Sequence, residues 1–481
     1  MKISEIAKNI EGCRVEGEDK DVTGFSYNTS NVEKGSLFFC IVGVKTDGHV
    51  FAQKAVDSGA IAVVISKDVD IKGDVTKIFV KDTREAMALM SSNFYGNPSL
   101  KMDMIGITGT NGKTTSTFMM KSIFDTAGKT TGLFGTIYNI FGDEREVAKR
   151  TTPESMDLQR MLMRMEEKGV DTCIMEVSSH SLELKRTYGI KYRVGIFTNL
   201  TQDHLDFHGT MENYFNAKKK LYESCTSAAI NIDDEYGIRL SKEIECKCIT
   251  YGIESKADLF ASDIEVTSSK SSFKMHYRDE VVVIELKLPG KFNVYNALGC
   301  AAAALEMGIS LDKIKEGLEL LESVPGRSEK ITSKRGFTLV IDYAHTPDGL
   351  INILKTAREY TKGRLIALFG CGGDRDKTKR PLMGKAAGEL ADFCIVTSDN
   401  PRTEVPGDII QDILPGINET ECDYVIIEDR KNAIKYAIDN GEKGDVIVIA
   451  GKGHETYQVL ADKTIHFDER EIVFEFLKED M

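Results

Sequence analysis

The segment Gly106-Ile-Thr-Gly-Thr-Asn-Gly-Lys-Thr-Thr115 carries the sharpest chemistry in the chain. An apolar run over 102–108 enters a glycine-rich turn, and an amphipathic stretch bearing Phe118, Met119, Ile123 and Phe124 follows. Such a turn points several backbone N–H groups inward, and the positive end of a helix adds to them; together they cradle phosphate. Gly109, Thr110, Asn111, Gly112, Lys113, Thr114 and Thr115 make up the loop. Lys113 can reach β- and γ-phosphates, and the Thr114 hydroxyl can ligate Mg²⁺. The strict spacing GxxxxGK[ST] is not met, because its first glycine falls on Ile107 and Gly106 stands one place earlier. A strand before and a helix after argue against the alternative, a plain glycine turn with a solvated Lys113.

A phosphate loop alone leaves kinases, GTPases, motors and ligases open. Two later strand-like runs narrow the choice. One, over 172–177, ends in Glu176-Val-Ser-Ser-His180, and another, over 194–198, ends in Asn199-Leu-Thr-Gln-Asp-His204. Open α/β sheets bind ligands at such carboxyl ends. Glu176 offers the hard oxygen that suits Mg²⁺. The cluster His204, Asp206, His208 resembles a zinc site but lacks a cysteine or a further histidine in the right context. His204 remains a candidate for the metal centre, and His208 reads equally well as a turn or core residue. In the triple lysine 218–220, helical spacing puts Lys218 on one stripe with Tyr214, Ala217, Leu221 and Tyr222. From pattern alone Lys218 is a snorkelling stem or a functional amine.

These groups need elements to hold them. At 481 residues the chain predicts about three domains. Apolar runs of strand length alternate with helical periodicity, which predicts α/β architecture with parallel sheets. The first block, 1–98, closes at the turn-rich Tyr95-Gly96-Asn97-Pro98. The second, 99–328, runs from the phosphate loop through a helix expected over 296–307 to Pro325-Gly326-Arg327. The third, 329–481, holds strand-like runs over 337–342, 364–369, 393–397 and 445–450. A net charge of −13 argues against nucleic acid as partner. No apolar run reaches the roughly 18 residues of a membrane span, and the opening MKISEIAKNIEG lacks a signal-peptide core. Ten scattered cysteines without a CxxC pair predict reduced thiols. Composition therefore predicts a soluble cytoplasmic protein.

Further segments extend the pattern. TGTNGKTT, TTPES, MEVSSH, TNLTQDHLDFHG and YFNAKKKLY are followed in order by LPGKFNVYNAL, PGRSE, DYAHTPDGL, FGCGGDRDKTKRPLMG, SDNPRTE and AGKGHETYQ. This series resembles the Mur ligase family, closest to its branch that adds the third residue of the peptidoglycan stem peptide. The resemblance implies three α/β domains: an N-terminal UDP-sugar domain, a central ATPase and a Rossmann-like C-terminal domain. It implies ATP-dependent ligation of meso-diaminopimelate to UDP-N-acetylmuramoyl-L-alanyl-D-glutamate through an acyl phosphate, with ATP and two Mg²⁺ ions, by a monomer.

Residue by residue, the resemblance assigns Lys113, Glu176, His204 and Lys218 to catalysis. Thr114 and Glu176 would hold one metal, and His204 with Lys218, as a carbamate (N6-carboxylysine), the other. ATP would meet the loop 109–115 and Asn296, Arg327 and Asp342. Asn296 also reads as a helix N-cap, and Asp342 as an ion-pair partner of Arg327. The UDP-muramoyl dipeptide would meet Thr29, Thr151, Thr152, Ser178 and Arg186, although Thr152 before Pro153 also fits a helix cap. Diaminopimelate would meet Arg375, Asp399, Asn400, Pro401, Arg402, Gly451 and Glu455. An arginine fork suits its second carboxylate and would repel the ammonium of lysine. The chain departs from the family at Asn28-Thr29-Ser30, where Asp-Ser-Arg is common, and at Leu184, often Gln. The alternatives are the same reaction with L-lysine, or a relative such as folylpolyglutamate synthase. A kinase or GTPase would need the HRD and DFG or NKxD segments, which are missing. A non-enzymatic binding protein would have no use for the intact Lys113, Thr114, Glu176, His204 and Lys218.

Overall fold

Continuous apolar runs such as Ser36–Phe39 and Ala62–Ile65 are buried at every position, as strands covered on both faces must be. The computed structural model describes residues 1–43 and 46–479, which form two compact units. Among the described residues, those of 1–108, 128–195 and 217–227 make the first; those of 109–127, 196–216 and 228–479 make the second.

The first unit opens with a five-stranded sheet in the spatial order Arg14–Glu16, Thr76–Phe79, Ala62–Ile65, Ser36–Phe39, Gly24–Ser26. Only the Arg14–Glu16 edge is antiparallel. Helix Thr83–Phe94 covers one face; the Asp82 carboxylate caps it, accepting from the N–H groups of Arg84 and Glu85 at 2.7 and 3.2 Å. Further along, strand Thr172–Glu176 lies between Asp103–Thr108 and Thr131–Phe134, parallel to both. Antiparallel strands Tyr138–Phe141 and Glu144–Val147 extend that sheet.

The second unit contains helix Lys113–Thr126, which starts at the phosphate loop, and an antiparallel meander of Leu259–Val266, Ser271–Tyr277 and Glu280–Leu286. Its C-terminal sheet runs Glu329–Thr332, Thr338–Asp342, Val446–Ala450, Leu365–Phe369, Phe393–Val396, Asp423–Ile426. All neighbours are parallel except the first pair. Apolar cores lie on both faces of this sheet, one around Leu354 and Ile413, the other around Ile434 and Val473. Asp342, Ser398-Asp399-Asn400 and Gly451 all stand at or just beyond the carboxyl ends of its strands. The α/β class is thus as expected, the meander was not foreseen, and the expected 296–307 helix begins earlier, spanning Lys291–Glu306. No helix among the described residues is long and apolar enough to cross a membrane.

One element of this sheet stores a cost. Lys330, in strand Glu329–Thr332, has a buried Nζ without a hydrogen-bond partner, 4.1 Å from the Tyr360 ring. Burial holds its ammonium down at about 8, against about 10.4 in an unfolded chain. The penalty is therefore absent above roughly pH 10.5, grows as pH falls through that window, and is complete below about 8. Lys330→Met should raise Tm by a few degrees at pH 7, and by much less at pH 10. Paired thermal melts check this; equal midpoints at pH 7 would refute it.

Candidate functional site

In the second unit the phosphate loop is tied down from several sides. The Thr110 and Asn111 N–H groups donate to the Asn199 carbonyl and side-chain oxygen, both at 2.9 Å, and the Thr198 hydroxyl donates to the Asn111 carbonyl at 2.6 Å. Gly109 and Gly112 have φ of 148° and 87°. A Cβ at Gly109 would strike the Thr198 hydroxyl, and one at Gly112 the Asn296 amide oxygen. Both glycines are thus required by conformation and by close approach. The Lys113 ammonium donates to the Gly109 and Thr110 carbonyls, each at 2.9 Å, which holds it against the loop.

Three residues singled out for the nucleotide stand near this loop or lead from it. Arg327 donates to the Thr114 hydroxyl at 2.9 Å and lies over the Tyr343 ring at 4.6 Å. Asp342 ends its strand, and its carboxylate accepts from the N–H groups of Ser328 and Ala344 at 2.7 and 2.8 Å. Those bonds, rather than a direct Arg327 ion pair, satisfy it. Burial raises the Asp342 carboxyl above the ordinary range, with Arg327 opposing. Asn296 sits inside helix Lys291–Glu306, which Gly290 begins, so the N-cap reading is corrected. Its side chain donates to Asn293 at 3.2 Å and abuts Gly112.

Sequence reasoning passed over a neighbouring cluster. Asp203, buried, is 3.1 Å from the Lys379 ammonium, 3.4 Å from His204 Nε2 and 3.9 Å from His345 Nε2. Its positive neighbours hold the carboxyl far below its usual range despite burial. Burial pushes His345 down to about 4, so its imidazole is neutral at physiological pH. Lys379 and His345 lie in quoted motifs, but a lysine beside an arginine at a helix start reads as solvated until its depth is known. His208, by contrast, stacks on Tyr214 at 5.0 Å, as a core histidine does.

The C-terminal strand ends gather the residues expected to hold diaminopimelate. Asn400 donates to the Glu455 carboxylate at 2.9 Å, and Lys452 reaches Asn400 and Glu455 at 3.0 and 3.1 Å. Arg402 has a left-handed φ of 53° and donates to the Gly373 carbonyl at 2.8 Å. Burial, and then the nearby Arg375, lower its pKa, so the pair repel one another. Both flank Gly372. Asp399 is buried beside Gly451, where a Cβ would come within 2.7 Å of its carboxylate. Pro401 links Asn400 to Arg402. His454, next to Glu455, lies 4.8 Å from the Tyr343 ring, and burial holds it near 3. Contacts therefore run from Thr114 through Arg327 and Tyr343 to His454, the chain neighbour of Glu455.

In the first unit Glu176 ends its strand fully buried, accepting from the Thr136 N–H at 2.8 Å and hydroxyl at 3.0 Å. The Thr152 hydroxyl donates to the Glu176 carbonyl at 2.8 Å and touches Ser178, while Thr151 lies 3.1 Å from the Thr136 hydroxyl. Arg186 donates to the Thr152 carbonyl at 3.2 Å. Thr152 is not a helix cap: the following helix, Ser155–Glu167, is entered at Glu154. Thr29 begins a single 3₁₀ turn capped by Asn28. Lys218 is buried to 1% exposure, deeper than a snorkelling stem, whereas Lys220 reaches Glu183 at the surface.

Three family models match the chain in order: "Mur ligase family, catalytic domain" over 21–95, "Mur ligase middle domain" over 107–304 and "Mur ligase, glutamate ligase domain" over 326–453. The chain is 51% identical to a Clostridium botulinum protein named UDP-N-acetylmuramoyl-L-alanyl-D-glutamate--2,6-diaminopimelate ligase, covering all of both chains. It is 52% identical to a Clostridium acetobutylicum protein of that name, numbered 1, again over both full lengths. A solved structure titled as such a ligase superposes with a TM-score of 0.70 at 31% identity, covering 100% of this chain and 99% of the other. A glycine cradle fixed by Thr198, Asn199 and Asn296, three matching domains and end-to-end identity of this order lead to one conclusion: the chain belongs to the Mur ligase family.

Proposed function

We propose that the chain ligates meso-diaminopimelate to UDP-N-acetylmuramoyl-L-alanyl-D-glutamate at the expense of ATP, releasing ADP and phosphate in peptidoglycan synthesis. The observation that carries this reading is the Arg402 and Arg375 pair beside Gly372, in the same unit as a phosphate loop whose Thr114 hydroxyl accepts from Arg327. Two crowded guanidiniums suit a substrate with a second carboxylate. The names of the relatives support the same substrates.

On this reading residues 1–98 take the UDP-sugar, 99–328 bind ATP, and 329–481 bring the amino acid. The γ-phosphoryl group passes to the terminal carboxylate of the dipeptide, because a carboxylate is a poor electrophile and phosphorylation makes one oxygen a leaving group. Lys113 and Arg327 offset phosphate charge during that transfer. Glu455, Asn400 and Lys452 orient the incoming amine, which attacks the acyl carbon and expels phosphate. Thr114 and Glu176, which the family resemblance gives to one ion, each offer a hard oxygen of the kind Mg²⁺ prefers, and the Glu176 carboxylate is buried at a strand end. Bound Mg²⁺, two ions on this reading, would neutralise phosphate oxygens. The family resemblance assigns His204 and a carboxylated Lys218 to the second ion. The working form is a cytoplasmic monomer.

The test supplies ATP, Mg²⁺ and UDP-muramoyl-Ala-Glu with diaminopimelate or lysine in parallel, reading ADP and product mass. Extension by diaminopimelate is expected; extension by lysine alone would reassign the substrate, and no extension would end the proposal. A ¹³C-bicarbonate label should give a carbamate resonance that Lys218→Met abolishes.

A further inference from the structure

Three arginines converge on one carboxylate in the first unit. Glu154 is 2.9 Å from Arg186 Nε, 2.7 Å from Arg150 Nη1 and 3.7 Å from Arg84 Nη1. They arrive from different elements: Arg84 from the first turn of helix Thr83–Phe94, Arg150 from the segment before helix Ser155–Glu167, and Arg186 from just beyond helix Ser179–Glu183. Glu154, Arg84 and Arg186 have side chains only 10, 17 and 14% exposed, while Arg150 is 53% exposed. Burial lowers the Arg186 pKa, and Arg150 and Arg84 push the same way against the opposing pull of Glu154.

One carboxylate in contact with three guanidiniums leaves a local surplus of positive charge, and two of the three, Arg84 and Arg186, are largely buried. Such a surplus is expensive unless an anion shares it. The cluster also adjoins the loop that departs from its family: Tyr27 feels the charges of Glu154 and Arg150, and its hydroxyl donates to Asp157 at 2.8 Å. Asn28-Thr29-Ser30 follows directly and supplies no cation.

We propose that Arg84 and Arg150, together with Arg186, seat an anionic group of the UDP-linked substrate, either its diphosphate or a dipeptide carboxylate. Glu154 holds the three side chains apart and in register. This rests on the proposed function. The arginines supply the positive charge missing from the loop after Tyr27, from elements that sequence alone does not bring together.

The test is Arg84→Gln and Arg150→Gln in the full chain. Each should raise KM for the UDP-muramoyl dipeptide at least about tenfold, the loss of one charge-assisted pair, with kcat and the KM for ATP little changed and Tm within a few degrees. Arg150→Lys should recover part of the loss. If Arg84→Gln does not fold, Arg150→Gln alone decides, since its side chain is half exposed. Calorimetry with UDP, and separately with muramoyl dipeptide lacking the nucleotide, shows which anion loses affinity. A folded Arg150→Gln with unchanged KM and unchanged affinity for both probes overturns the proposal while leaving the ligase reading intact. Wild-type protein that binds either probe through these arginines yet makes no peptide would instead overturn the ligase reading alone.

Discussion

Lys113→Ala is expected to lower kcat by about 10³-fold while the protein stays folded. The reasoning starts from position. Helix Lys113–Thr126 begins at this residue, and the ammonium is fixed by the Gly109 and Thr110 carbonyls, each at 2.9 Å. A charge held there needs no reorganisation when phosphate charge shifts toward the bridging oxygen, and a preorganised cation is worth most where water is excluded. The backbone of the loop would keep its shape without it, because Asn199, Thr198 and the two positive-φ glycines set that shape. Affinity for the UDP-linked substrate should therefore change little. Steady-state ADP release and a thermal melt measure the two sides. A kcat close to wild type in a folded variant would remove the phosphate-loop assignment.

How much of this could be read from the residues depends on the range of the contacts. The phosphate loop was legible because its chemistry is local: the strand end, the turn and the helix start all fall between Gly106 and Thr115. The five parallel strands of the C-terminal sheet were legible too, since buried strands such as Val446–Ala450 read as unbroken apolar runs. The antiparallel meander was missed because Leu259–Val266 and Glu280–Leu286 mix polar and apolar residues, with Val281 and Val283 exposed, and mimic loop composition. The competing N-cap reading of Asn296 fails because an alanine-rich run masked a helix start at Lys291. The pairs Asp203–Lys379 and Glu154–Arg186 join residues far apart in the chain, and no spacing rule announces such pairs. Lys218 was visible as an oddity on an apolar stripe, but its full burial belongs to tertiary packing.

Arg402→Ala should lower kcat/KM for diaminopimelate by about 10²- to 10³-fold, with the KM for ATP unchanged. The side chain is held in a left-handed backbone conformation and anchored on the Gly373 carbonyl, so its fork is oriented before substrate arrives. Arg375 presses on it electrostatically, and a substrate carboxylate between the two would relieve that repulsion. Losing one guanidinium thus removes a charge-assisted pair and part of the reason for the other. Arg402→Lys keeps the charge without the planar fork and should fall between wild type and alanine. Arg375→Ala, at an exposed position, should cost less. The lysine reaction gives the sharper reading. With Arg402 present, the distal ammonium of lysine meets like charge, so the alanine variant should lose discrimination chiefly through the diaminopimelate arm. If diaminopimelate kinetics stay as in wild type, the guanidinium does not read the second carboxylate, and the specificity must come from elsewhere at the strand ends.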